Sequence, residues 1–384
     1  MDNSIVISTP PHVKSKRTTR KIMLDVLIAL APAAICGIVY FLLDAFILEV
    51  TCVAFAVASE FVYFFIAKGG FNVRFANSET KQLAKKVAEL KKAGQPYDEA
   101  ASALKAKRAE LRKAAFAKSR GVCISWVKQF DFTSVVTGLI LALILPSTVK
   151  WYEAAIGSVA AIVFIKMLFG GTGRNIANPA AAGRLFMFIS FAITTYTAAN
   201  FGTIGEASGE TLTSGATYLS GALLIENPNL GAISLLDLFL GTGVAGCIGE
   251  TCKLALIVGY IYLVVRRVIK WWQPLLYIVV TGLMAAALNA DFAFFLPSIL
   301  SGGVMFGGIF MFTDYVTSPK GVYAQIVYYV VAGILTAVLR HFTHIEVVSF
   351  VIVIMNLIVP LLDAYIRRKP FGYKREKKNK EVSD

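Results

Sequence analysis

Residues 22–67 read IMLDVLIALAPAAICGIVYFLLDAFILEVTCVAFAVASEFVYFFIA, a stretch whose only charged side chains are Asp25, Asp44, Glu49 and Glu60. A hydrocarbon core about 30 Å thick takes roughly 20 apolar residues per helical crossing, so this run holds two crossings, at 22–43 and 45–67, that meet at Asp44. Comparable runs lie at 133–149, 152–169, 184–199, 243–265, 272–290, 292–312, 322–340 and 345–366. The reading is therefore an all-α membrane protein of about ten transmembrane helices. The first run follows a 21-residue polar arm and leads straight into the second, so no cleavable signal peptide is indicated.

The composition agrees. Of 384 residues, 57% are hydrophobic and 16% charged, against about a quarter charged in soluble domains, and the mean hydropathy is +0.66. A cytosolic enzyme, a secreted disulfide scaffold and a disordered chain are excluded. So is an outer-membrane barrel, whose apolar residues would alternate rather than run unbroken.

A net charge of +14 would suggest nucleic acid in a soluble protein. Here the charges report sidedness, because retained cytoplasmic loops are rich in Lys and Arg. The arm carries Lys14, Lys16, Arg17, Arg20 and Lys21, and residues 68–128 hold 15 basic against 5 acidic side chains. Arg174, Arg184, Arg266, Arg267, Lys270 and Lys320 fall on the same side, as does the tail from Arg367. The loop 200–241 has no Lys or Arg, only Glu206, Glu210, Glu226 and Asp237. Both termini are thus expected in the cytoplasm and this loop outside. Lys150, Arg340 and His341 are small exceptions on the outer side.

The segments follow from these boundaries. An N-terminal arm (1–21) precedes a first membrane half (22–199) carrying a basic insert at 78–118; an outer loop (200–242), a second half (243–366) and a basic tail (367–384) complete the chain. The insert reads as a helical hairpin broken at Gly94-Gln-Pro. It is either a solvated basic hairpin or a contact for anionic lipid or for a partner protein of the same complex. Cys36, Cys52, Cys123, Cys247 and Cys252 show no CxxC spacing and read as buried thiols, with no metal or iron–sulfur site from this chain alone.

Polar residues that interrupt apolar runs mark where chemistry is affordable in a bilayer. The stretch Phe169-Gly-Gly-Thr-Gly-Arg-Asn-Ile-Ala-Asn-Pro179 has glycines that permit close backbone approach, with Arg174, Asn175 and Asn178 suited to a planar heterocycle. A re-entrant turn that merely packs fits equally. In Met311-Phe-Thr-Asp-Tyr-Val-Thr-Ser-Pro-Lys320, Asp314 sits among hydroxyls that suit a small hard cation or proton, or a helix cap. Asp363, in Asn356-Leu-Ile-Val-Pro-Leu-Leu-Asp363, reads as an ion-handling carboxylate or as a salt-bridge partner of Arg367 four residues on. Asp131, near the start of the third run, is a further ion-path candidate. By physics alone Thr217, in Glu210-Thr-Leu-Thr-Ser-Gly-Ala-Thr-Tyr218, is a loop residue or helix cap.

Ser214-Gly215-Ala216-Thr217 resembles the flavinylation motif of membrane proteins that carry FMN through its phosphate on a threonine. Gly170–Pro179 and the pair Thr313–Pro319 with Asn356–Asp363 resemble the same family. That family comprises the D subunit of the Rnf complex and its relative, the B subunit of the sodium-translocating NADH:quinone oxidoreductase. Asp314-Tyr-Val-Thr-Ser-Pro-Lys320 and the Arg-Arg-Lys-Pro-Phe-Gly tail are closer to the Rnf branch. One departure is visible: the aspartate usual six residues before the modified threonine is Thr211 here, with Glu210 before it.

The resemblance implies covalent FMN on Thr217 as an electron relay and a non-covalent flavin such as riboflavin near Asn175 and Asn178. It also implies ion handling by Asp314 and Asp363, in a bacterial inner-membrane complex with Rnf subunits A, B, C, E and G. A flavin transferase would serve maturation, and the fold would be two inverted five-helix halves like those of ammonium and urea channels. The quinone-reducing relative and a non-redox solute channel remain alternatives. Against the repeat, the echoes of Thr137-Gly-Leu in Thr281-Gly-Leu and of Phe169-Gly-Gly in Phe306-Gly-Gly join helices four apart, which would run the same way.

Overall fold

The computed structural model describes residues 17–68, 82, 84–89, 96, 98–191, 193, 235–241, 246–343 and 345–366. Among these, all regular secondary structure is helical. The α-helical elements among the described residues include α1 (Thr19–Ala67), α2 (Asp98–Gln129), α3 (Thr133–Leu143), α4 (Trp151–Ala160), α5 (Pro179–Phe191), α6 (Leu235–Leu240) and α7 (Lys253–Val265). They continue with α8 (Trp272–Leu288), α9 (Phe295–Leu300), α10 (Val304–Phe306), α11 (Val322–Thr343) and α12 (Val348–Tyr365). Two π-helical segments extend α4 (Ala161–Met167) and α10 (Gly307–Met311).

Among the described residues three helices are long and apolar enough to cross a membrane: α1, α11 and α12. At 1.5 Å per residue the 49 residues of α1 would span about 74 Å, more than two bilayer cores. The chain resolves this at Leu42, whose φ of 53° and ψ of −131° break the helix two residues before Asp44. The boundary expected between the first two runs is therefore real, and lies beside the charge that marks it.

Several other expected crossings are interrupted. The run at 133–149 is helical only to Leu143, and in the described part of that at 243–265 a turn at 248–250 precedes a helix that starts at Lys253. The two interruptions face each other: Gly249 N–H donates to Leu143 O at 2.7 Å and Ile248 N–H to Leu145 O at 3.1 Å. Backbone that leaves a helix in an apolar interior must find partners elsewhere, and each break supplies the other's. The described part of the run at 184–199, residues 184–191, is continuous helix within α5. The run at 292–312 is a bent pair, Phe292–Leu300 and Val304–Met311, turned by 68°. Its turn needs Gly302, whose φ is +56°.

Close helix approach rests on small residues, as between membrane helices generally. Helix α3 lies against α1, where a Cβ on Gly138 would come within 2.8 Å of Cys52 O and 2.9 Å of Val53 Cα. The second arm of the basic insert is helical, but α2 runs past residue 118 to Gln129.

Candidate functional site

The loops after the two π-helical segments meet at one end of the helix assembly, beside the start of α1 and the end of α7. They enclose a cavity of about 100 Å³ lined by, among others, Thr133, Lys166, Asn175, Asn178, Phe310 and Asp314. Both π segments reach its wall, the first through Lys166 and the second through Ile309 and Phe310. π-Helical turns widen a helix locally and recur at functional sites.

Asn178 is buried and engaged by its own helix. Its Oδ1 accepts from Ala180 N–H at 3.0 Å and Ala181 N–H at 3.3 Å, capping α5, and its Nδ2 donates to Met311 O at 3.5 Å. The cap thus ties the Gly-rich loop to the end of the bent pair. Asn175 Nδ2 donates to Ala177 O at 3.2 Å. Arg174 is exposed and lies outside the cavity lining, its side chain folded near Gly170.

Asp314 lines the cavity just beyond the bent pair, and its oxygens accept from Val316 N–H at 3.1 Å and the Thr317 hydroxyl at 3.2 Å. Burial raises its carboxyl above the usual range, opposed by those two donors. Burial, and then the carboxylates of Asp314 and Asp131, push the neighbouring Tyr315 hydroxyl up to about 12. Asp131 therefore shares this end with Asp314. Asp363 does not reach the cavity: its Oδ1 accepts from Lys320 N–H at 3.1 Å, fastening the end of α12 to the loop after Asp314. Asn356, in the same motif, accepts from the buried Tyr328 hydroxyl at 3.0 Å.

Sequence reasoning missed the hub of the cavity wall. Lys166, 3% exposed, donates to Glu60 at 3.0 Å and to the Thr133 hydroxyl at 2.5 Å. Thr133 in turn donates to Asp131 at 2.6 Å and contacts Thr172 at 3.2 Å. A lone lysine inside the apolar run at 152–169 and Glu60 inside 45–67 were the available signals. Their pairing spans 106 residues and is invisible locally.

A second polar group lies deeper. Arg184, Glu250, Lys253, Arg340 and Glu346 are each at most 9% exposed. Arg184, expected in a loop, sits inside α5 and pairs with Glu250 at 3.5 Å. Arg340, an apparent exception to the charge rule, is buried against Glu346 at 2.6 Å. Both are interior counter-ions rather than markers of sidedness. The motif Ser214–Thr217 lies outside the described residues.

The sequence profile of the NQR2, RnfD, RnfE family matches residues 6–80 and 107–372. The chain belongs to this family. The profile passes over residues 81–106, within the basic insert. The chain is 31% identical over 379 residues to the D subunit of the Na(+)-translocating ferredoxin:NAD(+) oxidoreductase complex of Acetobacterium woodii, covering 98% of each. It is 28% identical over 380 residues to the D subunit of the proton-translocating ferredoxin:NAD(+) oxidoreductase complex of Clostridium ljungdahlii, covering 97% of this chain and 98% of that one. Over 274 residues it is 32% identical to the D subunit of the ion-translocating oxidoreductase complex of Stutzerimonas stutzeri, covering 63% and 76%.

Proposed function

We propose that this chain is the D subunit of an Rnf-type pump in which electron transfer between ferredoxin and NAD drives Na⁺ or H⁺ across a bacterial inner membrane. The observation that carries this reading is the match to the Acetobacterium woodii protein over 98% of both chains. Thr217 would hold FMN as a phosphoester in an extracytoplasmic loop, with Ser214, Gly215 and Ala216 forming the motif read by a flavin transferase. When bound, FMN supplies one- and two-electron redox chemistry; the protein positions it and tunes its potential. The fold would comprise ten crossings in two inverted halves with both termini cytoplasmic, assembled with Rnf subunits A, B, C, E and G.

The cavity at Asp314 would be the cytoplasmic mouth of the ion path. Its wall offers carboxylate, hydroxyl and amide oxygens, the donor set of a hard cation. Asp363 would hold the mouth's rim through Lys320 rather than touch the ion. A riboflavin in this place would rest on Asn175 and the apolar wall, since Asn178 is taken up by capping α5.

The test is in-gel flavin fluorescence of the denatured chain, made alongside its flavin transferase and compared with Thr217→Ala. Fluorescence that follows the wild-type chain and vanishes in the variant is expected. A dark wild-type band, with the transferase active on another substrate, would overturn the redox assignment.

A further inference from the structure

The five charges buried beyond the cavity, three cations against two carboxylates, are held unequally. Arg340 and Glu346 are bound to the break of the bent pair. Arg340 Nη1 donates to Ser298 O at 3.2 Å and Ser301 O at 3.4 Å, carbonyls at the end of the first limb. Glu346 Oε2 accepts Gly303 N–H at 3.1 Å, where the second limb begins, and Arg340 Nη2 at 2.6 Å. Its other oxygen accepts Val348 N–H at 3.2 Å. This carboxylate is fixed by donors on both oxygens, and the pair satisfies backbone groups exposed by the break.

Glu250 is held differently. Its ion pair with Arg184 measures 3.5 Å, and Arg184 also donates to Ser349 Oγ and Cys247 Sγ, each at 3.4 Å. Lys253 is turned to backbone, donating to Glu250 O and to Gly302 O. The Glu250 carboxylate lies over Gly303, where a Cβ would come within 2.5 Å of Oε1. A carboxylate this deeply buried whose ion pair is this long does little to stabilise the fold, since burying charge is costly unless its partners are well placed.

The same elements connect it to the cavity. Helix α5 begins beside Asn178 on the cavity wall and carries Arg184 six residues further, about 9 Å along the helix. Helix α7 contributes Leu263 to the wall and starts at Lys253, about 15 Å away. Phe310 lines the cavity and Gly303 lies at the opposite end of that limb.

We infer that Glu250 is a relay site for the monovalent cation, one step further along the path from the Asp314 cavity, with Arg184 as its resident counter-ion. An arriving Na⁺ or proton takes the Glu250 carboxylate, and Arg184 swings onto the Ser349 hydroxyl and Cys247 sulfur that it already touches. Glu346, fixed by its donors, is scaffold. The inference rests on the reading of this chain as part of an ion pump.

The experiment uses the whole complex in sealed inverted vesicles, reading Na⁺ uptake, acidification and NAD reduction from reduced ferredoxin. In Glu250→Gln, ions moved per electron pair fall to background while covalent flavin fluorescence is unchanged; Glu250→Asp restores part of the ratio. A wild-type ratio in Glu250→Gln overturns the relay. Wild-type vesicles that reduce NAD but move neither ion would instead sink the pump reading. Should Glu250→Gln fail to assemble, the other four cysteines are replaced by Ser and Cys247 alkylation by N-ethylmaleimide is followed. Labelling faster during turnover than at rest is expected, because Arg184, once off Glu250, holds the Cys247 sulfur as its reactive thiolate. Equal rates overturn the proposal.

Discussion

Lys166 shows how a single residue organises one end of the molecule. Its ammonium is buried between Glu60 and Thr133, and Thr133 passes the contact to Asp131 and Thr172. Lys166→Met leaves Glu60 without its partner, which for a buried pair costs about 3 kcal/mol or more. We expect a marked fall in thermal midpoint of the purified chain, largely recovered when Glu60→Gln is added. A double variant as unstable as the single would refute the pairing. Asn178→Ala removes the cap of α5 and should cost about 1 kcal/mol, read in the same assay. Arg174 and Asp363 carry the opposite lesson: both belong to motifs shared with the family, yet neither lines the cavity. A motif names residues without saying which of them face inward.

At the scale of elements, the breaks matter more than the helices. The α3 terminus and the 246–252 turn pair their exposed backbone, and the bent pair is closed by Arg340 and Glu346. Two π-helical segments, Ala161–Met167 and Gly307–Met311, both reach the cavity wall. The tight seam between α3 and α1 makes Gly138→Val a test of packing. Its side chain would meet the α1 backbone at Cys52 and Val53, and overpacking of this kind costs typically about 1–3 kcal/mol. Loss of thermal stability is the expected readout, and a neutral result would mean that the seam is looser than described. The interruptions themselves were poorly legible, since hydropathy does not distinguish a continuous helix from two half-helices with paired loops.

At the scale of the molecule, the family profile passes over residues 81–106 while matching the chain on either side. We therefore expect residues 81–106 to be dispensable to the shared core. Deleting 81–106 should leave the flavin proposed for Thr217 and assembly with partner proteins intact, read by in-gel fluorescence and native electrophoresis. Loss of flavin from that variant would show that the insert contributes to the core. The two relatives matched over nearly their whole length are described as moving different ions, so overall likeness of 31% and 28% is compatible with either ion.

Composition and run length alone determined that this is a helical membrane protein, because burial in a bilayer demands unbroken apolar stretches whatever their partners. The short motifs determined its kinship, and the charge at Asp44 marked the first break to within two residues. Only the tertiary structure decided which charges are interior. Arg184 reads as a loop cation, and Glu250 drew no reading, until α5 and the turn before α7, 66 positions apart in the chain, bring the two together. Periodicity is a local property of the chain, whereas a buried ion pair depends on how distant helices pack, and that information appears only once they have packed.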